Sequence, residues 1–467
     1  MNRFFGDKAF YKKVLVVALP IMLQNGISNF VNFLDNIMVG RMGTEQMSGV
    51  SIVNQLTFVY FLCLFGAIGG AGIMGAQFFG KGDFEGVRQT FRFKVYIGTL
   101  ILLAAVFIFL KFDTQLISLY LHEGSADGDL QATLQYGKVY MGLIIIGLIP
   151  GMLENCYSFT LRESGETVVP MVASVTAVFV NLIFNYILIF GKFGAPAMGV
   201  AGAAIATNIS RFIQVGIVMI WAHTHTDKVP YMKGVWKSFK VPVSLCKRIL
   251  ILAFPLVLNE TLWAGGIAAQ TQIYSVRGLA VVAALNINTT IFNVFNVAFI
   301  ALGDAVAIIV GQLLGAGKLE EGKETAYRII TFSTMVCLGI GTMMFFTAAV
   351  FPNIYNTTQE VRSMAANMLR VSAVTMPIGG FLHSTYFTIR SGGKTGITFL
   401  FDSVFLWVIS VPAGLFLTFK TGMDIVLILL IVNLLDLLKA GMGIGILRSG
   451  VWLQNIVGNK EEVNELQ

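Results

Sequence analysis

The chain carries about twelve separate runs of some twenty or more apolar residues, and that leaves few folds open. At about 1.5 Å of rise per residue, twenty helical residues cross a hydrocarbon core of roughly 30 Å. Inside such a core every backbone N–H and C=O must find its partner within the protein, so a lone span of this length is an α-helix. The runs lie near 14–40, 50–79, 92–112, 133–160, 167–190 and 199–222, then near 249–276, 283–314, 327–351, 363–389, 396–418 and 424–447. The predicted fold class is an all-α membrane protein, about 12 transmembrane helices in two pseudo-two-fold six-helix bundles. One bundle is expected over 1–222, a cytoplasmic basic linker over 223–248, the second bundle over 249–450 and a cytoplasmic tail over 451–467.

Charge agrees with this. Only 12% of the 467 residues are charged and 56% are hydrophobic, about half the charged share of a soluble domain. A net charge of +7 would point to nucleic acid in a soluble chain. Here Lys and Arg gather between the runs. With the N-terminus inside, the inner segments hold roughly two-thirds of them, which is the positive-inside pattern. Both termini are therefore expected in the cytoplasm, with membrane lipid as the surrounding partner and no nucleic acid. The four cysteines are scattered without metal or disulfide spacing. The first run has no small-residue cleavage pattern before it and reads as a retained helix, not a signal peptide.

The two halves repeat. ALP at 18–20 recurs as AFP at 253–255, and AQFFGKGDFEGVRQT from Ala76 recurs as GQLLGAGKLEEGKET from Gly311, both at an offset of 235 residues. TLRESGET at 160–167 recurs as TIRSGGKT at 388–395, with the offset shortened to 228. Six spans per half make the copies parallel, related by an axis along the membrane normal. That arrangement suits a transporter whose site lies between rocking bundles.

Ionisable groups inside a bilayer are expensive and usually have a role. Asp35, in NFVNFLDNIMVG, lies in the outer half of the first span. A desolvated carboxylate there can exchange a proton near neutral pH or ligate a cation. Asn181 and Asn185 are four apart and share a helix face. Thr207 enters the sixth span at matching depth, so Asp35, Asn181, Asn185 and Thr207 form the candidate coupling group. The bland alternative is that the Asn pair glues helices together. Glu260 lies near the midplane of the seventh span, with Asn259 before it and Trp263 one turn on. The three form a candidate cavity site in the second half. Asp402 and Lys439 are placed to snorkel toward the cytoplasmic face, His383 reads as structural, and Glu154 and Arg211 are intramembrane charges without an assigned partner. Abundant Phe and Met suit an adaptable cavity for apolar cations. No nucleotide-binding, zinc-protease or nucleophile-elbow motif occurs, so no catalytic activity and no cofactor are expected.

The motifs ALPIMLQNGISNFVNFLDNIMVGRMG, VSIVNQ and GAQFFGKGD, followed by FPLVLNETLWAGG, GQLLGAGK and IRSGGKT, resemble the multidrug and toxic compound extrusion (MATE) family from about Phe10 to Trp452. The resemblance implies two six-helix bundles forming a V and an antiport that moves drugs outward against inward H⁺ or Na⁺. It implies organic cations and amphipathic drugs as substrates. The family's coupling site falls on Asp35, Asn181 and Thr207. A second acidic position found in many relatives is Asn185 here, which favours a proton at Asp35 over a tightly held Na⁺ nearby. The tenth span offers His383 and no Asp, so a family Na⁺ site in the second lobe is not carried over. The expected protein is a monomeric, secondary-active exporter in a bacterial plasma membrane. The rival readings are a lipid-linked sugar flippase of the same superfamily and, in another class, an intramembrane enzyme or receptor.

Overall fold

The computed structural model describes residues 4–121 and 129–458, with residues 31–37 described by their backbone alone. Among the described residues there is no strand. The first half forms α1 (Lys8–Gly40), α2 (Thr44–Lys81), α3 (Phe84–Lys111), a short α4 (Asp113–Ser118), α5 (Leu130–Glu163), α6 (Val168–Phe190) and α7 (Gly199–Thr224). The second forms α8 (Val243–Ser275), α9 (Leu279–Phe295), α10 (Val297–Gly315), α11 (Leu319–Thr347) and α12 (Gln359–Ser391). It ends with α13 (Thr395–Phe399), α14 (Val411–Lys420), α15 (Ile425–Leu434) and α16 (Asp436–Ser449).

Eleven described helices are long and apolar enough to cross a membrane. The helix α12 is absent from that set because it is too polar, yet its 33 residues are ample for a span. Counting it brings the number to the predicted twelve. The eighth predicted run is two helices, α9 and α10, divided at Asn296. The eleventh runs from α13 to α14 through two π-helical turns, Leu400–Val404 and Leu406–Ser410. Asp129 caps α5 by accepting from the backbone N–H of Gln131 and Ala132, as an N-cap carboxylate does.

The chain divides into two compact units. One comprises residues 23–75 and 84–250, the other 1–22, 76–83 and 251–467. In the first, the basic stretch after α7 is packed and not an open tether. Val229, Tyr231, Met232 and Val235 are all buried. Arg88 and Arg92 on α3 donate to the carbonyls of Tyr231 and Val235 at 3.1 and 2.8 Å.

The core of the second unit holds Val14, Val17, Ala18 and Ile21 of α1 against Leu302, Ala305, Val306 and Ile309 of α10. Fully buried Trp452 belongs to the same core. The Gln77 side chain donates to the carbonyls of Ser391 and Gln454 at 2.9 and 3.0 Å and accepts from the N–H of Ile456 at 2.8 Å.

In this unit the end of α2 crosses α10 at repeat-related positions. A Cβ on Gly80 would overlap the carbonyl of Gln312, and a Cβ on Gly315 would overlap the carbonyl of Gln77. Gly80 and Gly315 are 235 residues apart, as are Gln77 and Gln312. The contact is therefore reciprocal under the duplication. Each copy also has a small residue one turn earlier, Ala76 and Gly311, giving the small-xxx-small pattern of close helix crossings in membranes.

Candidate functional site

Three of the four predicted coupling residues meet. The Asn185 amide donates to the Asn181 carbonyl oxygen at 3.1 Å, as the shared helix face requires. The Asn181 amide donates across to the Thr207 hydroxyl on α7 at 3.2 Å. Thr207 in turn donates to the carbonyl of Ala203 one turn back, at 3.0 Å. Asn181 and Asn185 are buried. Close approach of α6 and α7 makes this possible: a Cβ on Gly202 would stand 2.6 Å from the carbonyl oxygen of Leu188. Asp35 belongs to α1, but its side chain lies outside the described residues.

The second group is a polar network inside the other unit. Asn259 is 1% exposed. Its amide is within 3.3 Å of both the Tyr386 hydroxyl and an Asp402 carboxylate oxygen. Tyr386 donates to Glu260 at 3.4 Å. Ser403 donates to the Asn259 side-chain oxygen at 2.7 Å. Lys439 closes the chain with a 2.6 Å ion pair to the other Asp402 oxygen. Predicted neighbours Asn259 and Glu260 thus share Tyr386. Trp263 is 41% exposed and stands at the margin.

Asp402 and Lys439 do not snorkel separately as the sequence reading has it. Their side chains are only 21% and 12% exposed, and they satisfy each other. Asp402 and Ser403 sit in the first π-helical turn, and such turns recur at functional sites because the wider turn re-aims side chains. Sequence reasoning overlooked Tyr386 and Ser403. The signal for the ion pair was present: opposite charges on consecutive spans, each about seven to ten residues from its inner end.

A second buried pair was also missed. Lys94 is fully buried and donates to both oxygens of Glu163, at 2.7 and 2.6 Å, and to Thr160 at 2.9 Å. The run expected near 133–160 stops short of Glu163, and Lys94 stands at the edge of the run near 92–112; α5 continues to Glu163 and α3 begins at Phe84, so both lie within helices. Glu154 accepts from Ser158 on its own helix. His383 packs edge-on against Phe299 and close to Phe387, with centroids 5.3 and 4.9 Å away.

Known proteins resemble this chain in sequence and fold. The MatE family model matches residues 20–187 and 255–416, one block in each half. A probable multidrug resistance protein NorM of Thermotoga maritima is 24% identical over 466 residues, 97% of this chain and 96% of the relative. A protein of the same name from Pasteurella multocida is 25% identical over 414 residues, 86% of this chain and 85% of the relative. Among solved structures, an outward-facing multidrug resistance MATE family transporter of the MOP superfamily superposes with a TM-score of 0.83 at 18% identity, over 96% of this chain and 97% of that one. A MOP superfamily transporter from Pyrococcus furiosus, for which reversed polarity of the binding pocket suggests a different function, gives 0.82 at 18% identity, over 95% and 97%. At such identities the structures speak for the fold. The family model spans most of the chain and touches both repeats, so the chain belongs to the MatE family, that of the multidrug and toxic compound extrusion transporters.

Proposed function

We propose that this transporter is a secondary-active efflux antiporter that exports amphipathic and cationic small molecules in exchange for protons, with Asp35 as the proton carrier. The observation that carries the reading is the buried Asn185–Asn181–Thr207 relay on α6 and α7. Polar groups at bilayer depth that face the protein interior mark ion and substrate paths. The names of the relatives, probable multidrug resistance proteins, support the substrate class.

The relay offers neutral oxygens and amide donors only. A hard cation such as Na⁺ prefers several oxygens with carboxylate among them, and Asn185 stands where a second carboxylate would help. That favours H⁺ over Na⁺. In the cycle, Asp35 is ionised while substrate is bound. Protonation from outside then lowers substrate affinity, and α1 bends where Pro20 interrupts its hydrogen-bond ladder. The Glu260–Tyr386–Asn259 group serves as a substrate-cavity element in the second unit, where Lys439 already neutralises Asp402. The protein acts as a monomer in a bacterial plasma membrane with both termini inside. It needs no cofactor and catalyses no covalent step.

Reconstituted proteoliposomes test this. A cationic dye such as ethidium, added under an imposed pH gradient, is expected to move against its own gradient and to accelerate proton flux in the opposite direction. Dye movement with no accompanying proton flux, or none at all, would refute antiport with protons.

A further inference from the structure

A groove of about 470 Å³ runs between α11 and α16 in the second unit, lined by Ile330 and Met335 of α11, Phe381 of α12, and Ile444 and Leu447 of α16. It is open to the side: Met335 is 54% and Ile444 41% exposed. Tyr327, Thr331 and Thr334 also line it. Their hydroxyls donate to the backbone carbonyls of Leu447, Tyr327 and Ile330, at 3.0, 2.8 and 2.8 Å. With those protons spent inside the helices, the wall presents mainly methyl and methylene surface. From Tyr327 to Met335 the groove follows α11 for about 12 Å, most of the roughly 15 Å depth of one leaflet.

The chemistry changes at one end. Arg448, in the last turn of α16, lines the groove with its side chain exposed. The bond from Tyr327 to Leu447 sets that turn beside the start of the groove. Phe4 lies there too, edge-on to Tyr327 with ring centroids 6.1 Å apart. The first turns of α1 dock at the same level. Tyr11 packs on Phe332 with centroids 4.9 Å apart, and Arg328 lies over the Phe10 ring at 5.8 Å. Lys8, Lys12 and Lys13 of those turns are exposed. A cationic rim at the mouth of an apolar slot matches one amphiphile in particular, a phospholipid with a negative headgroup. The same rim repels a cationic drug.

We propose that this groove binds an anionic phospholipid of the adjoining leaflet, with one acyl chain between α11 and α16 and the phosphate on Arg448. The lysines of α1 supply the surrounding positive field, and Phe4 covers the chain where it meets the headgroup. The bilayer delivers the ligand already oriented, because the groove runs along the spans and its charged end lies at theirs. The site uses none of the residues of the Asn181 relay or the Asn259 network, and it does not rest on the efflux reading.

Native mass spectrometry of the purified full chain reads the site. The chain is offered equal amounts of phosphatidylglycerol and phosphatidylcholine with identical acyl chains. The wild type is expected to retain one phosphatidylglycerol with about tenfold preference, the scale of a hydrogen bond to a charged group. Arg448→Gln should bring the preference close to unity. Ile444→Trp, which fills the groove from an exposed position, should lose the retained lipid whatever its headgroup. Glycerol 3-phosphate, the same phosphate without chains, should not displace the lipid at millimolar concentration. Equal retention of the two lipids by the wild type, an unchanged preference in Arg448→Gln, a lipid still held by Ile444→Trp, or displacement by glycerol 3-phosphate would each overturn the site. Should Arg448→Gln melt early in detergent, the pair Lys8→Gln/Lys12→Gln decides: a reduced preference supports the site, and an unchanged one overturns it.

Discussion

Gly80→Ala and Gly315→Ala are each expected to destabilise the protein by about 3 kcal/mol, the upper end of ordinary overpacking. The reason is what the new methyl group would strike. At both positions it is a backbone carbonyl, of Gln312 and Gln77 respectively. A side chain can rotate away from an added methyl; a carbonyl fixed in a helix ladder cannot, so the helices must separate. Separation would also loosen Gln77, whose side chain holds the turn at Ser391 and the chain near Gln454 and Ile456. Because the crossing is reciprocal, the two variants should lose similar amounts. Gly339→Ala is the control: nothing lies within 4 Å of its added methyl, and a change within about 0.5 kcal/mol is expected. Thermal unfolding in detergent, followed by tryptophan fluorescence, measures all three. Parent-like melting of Gly80→Ala would mean that the crossing is not a close one.

The second large effect concerns Lys94 and Glu163. Lys94→Met should cost about 3–5 kcal/mol, because it leaves a buried carboxylate without its cation. Glu163 has little freedom to swing elsewhere. Its two oxygens lie against Gly72 and Gly75 of α2, where added Cβ atoms would collide with them. Glu163→Leu alone should cost a similar amount by stranding the Lys94 ammonium. The double variant Lys94→Met/Glu163→Leu removes both charges, and replacement of a buried pair by apolar groups is often near neutral. A double-mutant cycle on melting temperature should therefore show strong non-additivity. Additive losses would mean that the two side chains act independently.

Much of the scaffold was legible because the bilayer imposes it. Span length follows from the hydrocarbon thickness, and α12 was legible despite its polarity as the run near 363–389. The 235-residue offset revealed the duplication through Gly80 and Gly315. It could not reveal that the two copies touch each other at that motif, since similarity carries no information on contact. The Asn181–Asn185 face was legible from helical spacing, and Thr207 from depth.

Pairing was where the reading stopped. Lys94 fell at the edge of one apolar run and Glu163 just past another, because such runs mark the hydrocarbon core while helices continue beyond it. Asp402 and Lys439 looked like snorkelling ends for the same reason. The π-helical turn that aims Asp402 and Ser403 at Asn259 leaves no mark in hydropathy. Those pairings also sharpen the functional division. In the second unit, Lys439 supplies Asp402 with a built-in cation, which supports the proposal that an exchangeable one is taken at Asp35 in the first.

The most direct test is dye efflux by Asp35→Asn in proteoliposomes at saturating substrate, across a series of imposed pH gradients, beside Glu260→Gln. If Asp35 carries the coupled proton, efflux by Asp35→Asn falls to the protein-free rate or loses its dependence on the gradient, while Glu260→Gln keeps that dependence with an altered substrate affinity. Wild-type, gradient-dependent efflux from Asp35→Asn would contradict the account.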